Sequence, residues 1–184
     1  MRSVSTDNTN KTIIAVIFLT CLTMGALLLF IMNAEIVAND AGIKHEIFAG
    51  MSIGGDGLER LRYTGTPSYL FGGLLIFLIV ILCLLGITPL KRDLQLYLFL
   101  LLTLIFSLII WYQMINSHLE YLKTGVTGYF MGFPTASAWQ IYGIWLSSVP
   151  LIFLYSIGFR RYVFSDSDEQ EFDTLLKKSR SNYQ

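Results

Sequence analysis

Charged residues are scarce in this chain. Only 14% of the 184 residues are charged, whereas 54% are hydrophobic. A soluble domain of this size needs more polar surface than such a composition supplies. The lack of charge therefore excludes an ordinary soluble fold and indicates that lipid is the solvent of most of the chain.

Charge is absent altogether from stretches long enough to cross a membrane. A bilayer core of roughly 30 Å requires about 20 apolar residues per helix, and a charged group at its centre costs roughly 2.5–3.5 kcal/mol. We predict an all-α membrane protein with four transmembrane helices in a bundle. The predicted spans are residues 12–34, 68–87, 94–115 and 138–159.

The first stretch has a second interpretation, as the apolar region of a secretory signal, because Arg2 and Lys11 precede it. Such a region has only about 7–15 residues and is followed by a cleavage pattern of small residues. This stretch is longer, and no convincing cleavage pattern follows Asn33. We expect it to remain as an anchor.

The positive charges are distributed unevenly between the segments that join the spans. With the N-terminus inside, nine lysines and arginines fall on the cytoplasmic side and four on the other, and Lys91 and Arg92 give the strongest signal. By the positive-inside rule we predict that both termini are cytoplasmic, in the cell inner (plasma) membrane. The cytoplasmic segments are then residues 1–11, 88–93 and 160–184, and the outer loops are residues 35–67 and 116–137.

Sequence motifs of catalysis are missing. The chain has no His-Glu-x-x-His, no Cys-x-x-Cys, no Gly-rich phosphate loop and no Gly-x-Ser-x-Gly. Its two cysteines, Cys21 and Cys83, fall in predicted spans, where thiols behave as small apolar side chains. A formal net charge of zero argues against a nucleic-acid partner. We expect no enzymatic activity, no cofactor and no metal.

Histidines and ionisable residues are absent from the predicted spans. The two histidines, His45 and His118, lie in predicted outer loops, so neither is placed as a haem ligand inside a helix. A metal site built from both with Glu46 or Glu120 is the alternative that this pattern leaves open. Because ionisable groups mark ion pathways, their absence argues against a transporter that works alone.

The fourth predicted span carries the residues most typical of helix contacts. Gly143 and Ser147 lie one turn apart and would let another helix approach closely. Pro150 removes a backbone hydrogen bond, and Ser147 and Ser148 follow the pattern of residues that satisfy the freed groups. We predict a kink at Pro150 and a partner contact through Gly143, Ser147 and Pro150. Packing only within the chain's own bundle is the alternative.

Glycine and proline also mark the segments that lead into two of the spans. Gly132, Phe133 and Pro134 predict an outer turn before the fourth span, and a similar run ends at Pro67 before the second. The match suggests a weak internal repeat. Two short helices are also predicted, an interfacial one over residues 58–63 and a cytoplasmic one after Ser165, where carboxylates precede lysines.

Part of the chain resembles a known family. Residues 90–172 have a basic start at Lys91, an apolar span that ends near Trp111, the Gly132-Phe133-Pro134 turn, an aromatic-rich span and a basic exit at Arg160 and Arg161. This order resembles that of the small accessory subunits of bacterial sodium:solute symporters. The proline in the last span and the expected topology are similar to those of the four-helix membrane subunits of tripartite periplasmic transporters.

The resemblance implies an accessory role in transport. We therefore expect a non-catalytic subunit of a transporter or other membrane complex, with lipid and another integral membrane protein as partners. One alternative is a membrane subunit or assembly factor of a respiratory or redox enzyme. Another is a self-sufficient carrier of lipids or small molecules, which a wide cavity lined by Gln113, Gln140 and Ser147 would support.

Overall fold

Helices account for most of the structure. The computed structural model describes residues 2–35, 43–53 and 57–181, and 81% of the chain is helical. The all-α prediction is thus confirmed. Among the described residues, four helical segments are long and apolar enough to cross a membrane, namely Asn8–Met32 within α1 (Arg2–Met32), α2 (Gly57–Leu85), α3 (Leu94–Thr124) and the composite segment Thr135–Ser156.

The composite fourth segment contains an irregular turn. Helix α4 (Thr135–Ala138) passes through a π-helical turn, Trp139–Gly143, into α5 (Ile144–Ser156). A second π-helical turn, Phe159–Val163, precedes α6 (Asp166–Ser181). The predicted helix after Ser165 is therefore present.

Small elements connect the helices. A 3-10 turn, Pro89–Lys91, joins α2 to α3. Two short antiparallel strand pairs complete the described elements: β1 (Ile43–Lys44) with β2 (Ser52–Ile53), and β3 (Tyr129–Phe130) with β4 (Phe133–Pro134).

The two ends of α3 are set by local backbone chemistry. At its start the Asp93 carboxylate accepts a hydrogen bond from the Leu96 N–H at 2.8 Å, which satisfies a donor that the helix itself leaves free. At its end Gly125 adopts the left-handed conformation, with φ 69°, and its N–H donates to the Tyr121 carbonyl at 2.8 Å. Both are standard helix caps.

Both chain ends approach the same end of the helices. The N-terminal helix α1 contacts the Pro89–Lys91 turn, and the second π-helical turn, which leads into α6, contacts it too. We call this the inner end, and we call the end that carries the β3–β4 hairpin the outer end. The names follow the predicted orientation.

The helices do not close into a ring. Helix α1 packs against α2, α2 against α3, and α3 against α4 and α5. Within the described part of the chain, no comparable contact joins α1 to the fourth segment. The arrangement is therefore more open than the bundle that we predicted.

The best-packed region lies near the inner end, where α2, α3 and α5 converge. Ile87 and Leu96 are almost completely buried there, and the cluster also contains Val80, Leu100, Leu154 and Tyr162. The buried positions of α3 recur at intervals of three and four residues and form one helical stripe. They are Leu96, Leu100, Thr103, Ser107 and Ile110.

Large apolar side chains cover the outside of all four segments. Phe18 is 69% exposed, Trp145 77% and Ile157 79%. Monomeric soluble proteins rarely expose apolar patches that extend along whole helices. The surface is compatible with a multi-pass membrane protein, because lipid tails would cover these side chains.

The N-terminal part of α2 differs from our expectation. Residues 58–63 are helical as predicted, but they form the first turns of α2 and not a separate interfacial helix. Pro67 consequently lies inside α2, whereas Pro134 directly precedes α4. The two proline segments that suggested an internal repeat thus have different structures. Residues 36–42 and 54–56 of the predicted first outer loop lie outside the described part.

Candidate functional site

Gly143 packs inside the protein. It is buried in the π-helical turn, and a Cβ atom at this position would lie 2.8 Å from Ile110 Cγ2 of α3. The small residue therefore lets α3 approach the fourth segment. This favours the alternative for Gly143, a contact within the chain, while a partner contact through Ser147 stays a prediction.

Pro150 lies within α5, and the serines before it act differently from our prediction. Pro150 has no backbone N–H, so it cannot donate a hydrogen bond to the carbonyl of Leu146, four residues earlier. The Ser147 and Ser148 hydroxyls donate instead to the carbonyls of Ile144 and Trp145, each at 2.7 Å. The predicted role of these serines is therefore wrong. The irregular turn of this segment lies upstream, at Trp139–Gly143.

Gly132, Phe133 and Pro134 form part of a hairpin that the sequence showed only as a turn. Met131 and Gly132 both have positive φ, 48° and 84°, which is the backbone of a tight two-residue hairpin turn. Phe130 and Phe133 then pack edge-on against the Tyr142 ring, with centroid distances of 5.9 and 6.2 Å. The hairpin is thereby fixed to the π-helical turn.

An apolar groove lies between this hairpin and the fourth segment. Its volume of about 440 Å³ lies within the range of ligand pockets. Phe130, Ala138, Trp139, Tyr142, Gly143 and Leu146 line it. Its walls are almost entirely apolar, so it suits a hydrocarbon chain or an apolar helix face.

Ionic contacts attach the C-terminal region to the α2–α3 turn. The Lys91 ammonium donates to the Asp168 carboxylate and, at 3.2 Å, to the Val163 carbonyl. Asp168 also accepts from the backbone N–H and the hydroxyl of Ser165, at 2.7 and 2.8 Å. These donors, Lys91 first, lower the pKa of Asp168 to about 2.

A second set of contacts lies beside the first. Arg161 donates to the Asp93 carboxylate at 2.5 Å and to the Gln95 side-chain oxygen at 2.7 Å. The pKa of Asp93 is lowered, chiefly by the Leu96 N–H that it accepts and then by Arg161. We call Lys91, Asp93, Arg161 and Asp168 the inner clasp. Sequence patterns do not predict this pairing, because the partners lie about seventy positions apart.

The outer end contains an interhelical contact that requires glycine. The Trp111 indole N–H donates to the Tyr69 carbonyl at 3.1 Å, and the two rings stack with their centroids 6.4 Å apart. A Cβ atom on Gly72 would lie 2.1 Å from Trp111 Cζ2. The indole therefore occupies the space that any other residue at position 72 would need.

Two adjacent cavities lie on the outer side of this contact, and together we call them the outer crevice. The first, of about 420 Å³, is mainly apolar and lies between α2 and α3. The second, of about 410 Å³, lies between the ends of α1, α2 and α3 and is more polar. They share the side chains of Leu61 and His118. Tyr69, Trp111, Tyr112, Ile115 and Leu119 are further walls of the first cavity.

Three ionisable side chains line the second cavity. They are Glu35, which lies three residues after the end of α1, Arg60 from α2 and His118 from α3. Within the described residues, none of these side chains makes a hydrogen bond or ion pair with another residue of the chain. They are therefore available to a ligand.

The metal alternative receives no support from the described part of the chain. No group of three or more potential metal ligands occurs there. The His45 Nδ1 atom instead accepts the backbone N–H groups of Ile47 and Phe48, at 3.1 and 3.2 Å, and so stabilises a local turn. His118 lines the outer crevice.

The cavity that would support a self-sufficient carrier also differs from those observed. Gln113, Gln140 and Ser147 line neither cavity of the outer crevice, nor the apolar groove, nor a further cavity near Leu154. Comparison with models of known families, with curated proteins and with solved structures found no match to this chain.

Proposed function

We propose that the chain is a multi-pass protein of the cell inner membrane that serves as a non-catalytic accessory subunit of a transporter or other membrane complex. The observation that carries this proposal is the open arrangement of the helices. Among the described residues, α1 contacts α2 and the inner turn, and the fourth segment contacts α3, so these contacts leave one side of each outermost helix uncovered. A second integral membrane protein would pack against one of these sides.

The proposed topology has both termini in the cytoplasm. Its support is the nine-to-four distribution of positive charge, together with the approach of α1 and α6 to one end of the helices. The inner clasp is polar and would lie at the cytoplasmic surface, where water and lipid head groups tolerate its charges.

The fourth segment is the better candidate for the partner contact. Trp145, Leu146 and Ile157 are highly exposed along α5 and just beyond it. The apolar groove beside Leu146 adds a concave surface to this side. Aromatic residues are enriched in interface hot spots, so Trp145 is the side chain that we expect to contribute most.

The proposed resemblance to symporter accessory subunits concerns this same region. Residues 90–172 include α3, the hairpin and the fourth segment, which form one packed unit through Ile110, Gly143 and Tyr142. The redox alternative would place a cofactor-bearing partner on the same surface. The carrier alternative is weaker, since none of the observed cavities lies within the closed interior of a bundle.

Site-specific photo-crosslinking in the native membrane tests the proposal. A photoreactive side chain at Trp145 would be compared with one at Leu154, which is buried in the core cluster. We expect a stoichiometric adduct with one other integral membrane protein at Trp145 and none at Leu154. An adduct with a transporter supports the proposed accessory role, and an adduct with a respiratory subunit supports the redox alternative. Adducts only with lipid, from a protein that purifies as a single species, would contradict both.

A further inference from the structure

We infer that the outer crevice binds an aminophospholipid, a lipid whose head group carries a phosphate diester and an ammonium. The apolar first cavity would hold part of an acyl chain, and the polar second cavity would hold the head group. This inference rests on the proposed membrane placement but does not depend on an accessory role.

The depth of the crevice fits a lipid at the membrane surface. Helix α2 has 29 residues and α3 has 31, which at 1.5 Å per residue gives lengths of roughly 43 and 46 Å. A hydrocarbon core is only roughly 30 Å thick. The charged residues Lys91 and Arg92 would hold the inner ends of both helices at the cytoplasmic surface, so the excess length would extend at the outer end. The turns around Leu61 and His118 therefore lie in the head-group region.

The two cavities are arranged as an amphiphile requires. The apolar cavity reaches down to Tyr69 and Trp111, which lie closer to the middle of α2 and α3. The polar cavity lies farther out, at the last residues of α1 and the first turns of α2. Each has a volume typical of a ligand pocket, about 410 to 420 Å³. Their shared walls, Leu61 and His118, would lie beside the ester region of the lipid.

The charges of the second cavity select the head group. The Arg60 guanidinium has the donor geometry that suits a phosphate, and the His118 ring offers a further N–H donor. Glu35 adds a negative charge to the same cavity, which a simple anionic lipid would leave unmatched. A head group with both a phosphate and a primary ammonium complements all three side chains. A choline head group has no N–H to donate to Glu35.

Quenching of Trp111 fluorescence by brominated lipids measures this binding directly. The full chain would carry Trp139→Phe and Trp145→Phe, which leaves Trp111 in the cavity wall as the sole tryptophan. Phosphatidylethanolamine, phosphatidylcholine and phosphatidylglycerol with dibrominated chains would be titrated separately into the protein in a mild detergent. We expect phosphatidylethanolamine to reach half-maximal quenching at a lipid fraction about threefold lower than that of the other two lipids. The difference is this small because exposed charge pairs contribute modestly to the binding free energy.

Variants separate the roles of the two charged residues. Glu35→Gln should remove the preference for ethanolamine over choline, whereas Arg60→Gln should weaken binding of both lipids and keep their ratio. Gly65→Leu should reduce quenching by every lipid, because Gly65 lines the apolar cavity. Its matched control is Gly25→Leu, since Gly25 has open space around it.

The inference is overturned if the three lipids quench Trp111 equally, or if Glu35→Gln leaves the lipid preference unchanged. If the tryptophan variant does not fold, native mass spectrometry of the unaltered chain replaces it. Retention of one ethanolamine lipid in preference to choline lipid then supports the inference, and equal retention overturns it. Release of the protein from membranes by alkaline carbonate would instead contradict the membrane placement itself.

Discussion

The inner and outer ends of this molecule are stabilised in different ways. At the inner end, α2, α3 and α5 converge on nearly buried side chains such as Ile87 and Leu96, and the inner clasp attaches the C-terminal region. At the outer end, the contact of Gly72 with Trp111 lies beneath two cavities. The buried cluster and the ionic contacts thus lie at the inner end, and the outer crevice lies at the other.

The charged residues show the same contrast. Those of the inner clasp form two ion pairs, Lys91 with Asp168 and Arg161 with Asp93. The pKa of Asp168 is lowered to about 2, first of all by Lys91. Those of the outer crevice, Glu35, Arg60 and His118, have no side-chain partner among the described residues. Charges that pair with each other contribute to structure, whereas exposed charges that line a cavity are open to a ligand.

Neighbouring glycines provide the sharpest test of the outer contact. Gly72→Ala would place a Cβ atom 2.1 Å from Trp111 Cζ2, whereas at Gly73 the nearest atom, Leu108 Cδ2, would be 3.8 Å away. Overpacking of this kind costs roughly 1–3 kcal/mol, so we expect Gly72→Ala to lower the melting temperature in detergent. Gly73→Ala should be neutral or slightly stabilising, because alanine favours helices. Equal melting temperatures would show that Trp111 is free to move.

The inner clasp is tested by removal of its lysine. Lys91→Met leaves Asp168 without its first donor, so α6 should detach more often and become more sensitive to limited proteolysis. Lys178→Met removes the same charge from the exposed last turn of α6 and serves as the control. Identical cleavage rates in the two variants would mean that the clasp does not hold α6.

Acid should release α6 as well. The pKa of Asp168 is about 2 in the folded chain, below its ordinary value of 3.8. Its contribution to attachment is therefore complete above pH 3.8 and is lost as the pH falls through about 2. Distances between spin labels at Leu90 and Thr174 should lengthen over this range. The same transition in Asp168→Asn would assign it to another group, such as Asp93.

The hairpin at the outer end should show the smallest effect. Gly132→Ala forces a side chain into φ 84°, a conformation that costs an L-residue roughly 1–2 kcal/mol. The β3–β4 turn should loosen locally, which amide hydrogen exchange of residues 129–134 would measure. The control is Val126→Ala, because Val126 is 73% exposed and lies outside the two turn positions with positive φ. Unchanged exchange in Gly132→Ala would show that another backbone shape is equally stable.

Hydropathy and charge patterns predicted the helical elements well. Uncharged stretches marked the four long helices, and the order of carboxylates and lysines marked α6. The patterns failed for the start of the second span. Glycine and proline predicted a separate short helix before residue 68, whereas α2 begins at Gly57 and continues through Pro67. At the start of α2, Leu122 of α3 lies so close to Gly57 that an added Cβ atom would be 2.5 Å from its Cδ2, a tertiary contact that the sequence pattern does not contain.

The candidate sites were much less accessible to sequence reasoning. Lys91 was recognised only as a positive-inside residue, although its partner Asp168 lies 77 positions away. His118 was considered only as a metal ligand, because the crevice around it depends on how three helices meet. Gly143 was recognised as a contact residue, but only the fold shows that the contact includes Ile110 of the same chain.

The proposed topology places the inner and outer ends on opposite sides of the membrane. Labelling of single cysteines from one side tests this placement most directly. The chain would carry Cys21→Ala and Cys83→Ala, with one new cysteine at Val126 near the outer end or at Ser179 in α6. An impermeant maleimide added to intact spheroplasts should label the Val126 position at once and the Ser179 position only after lysis. Labelling of Ser179 in intact spheroplasts, or of neither position before lysis, would contradict the proposed topology.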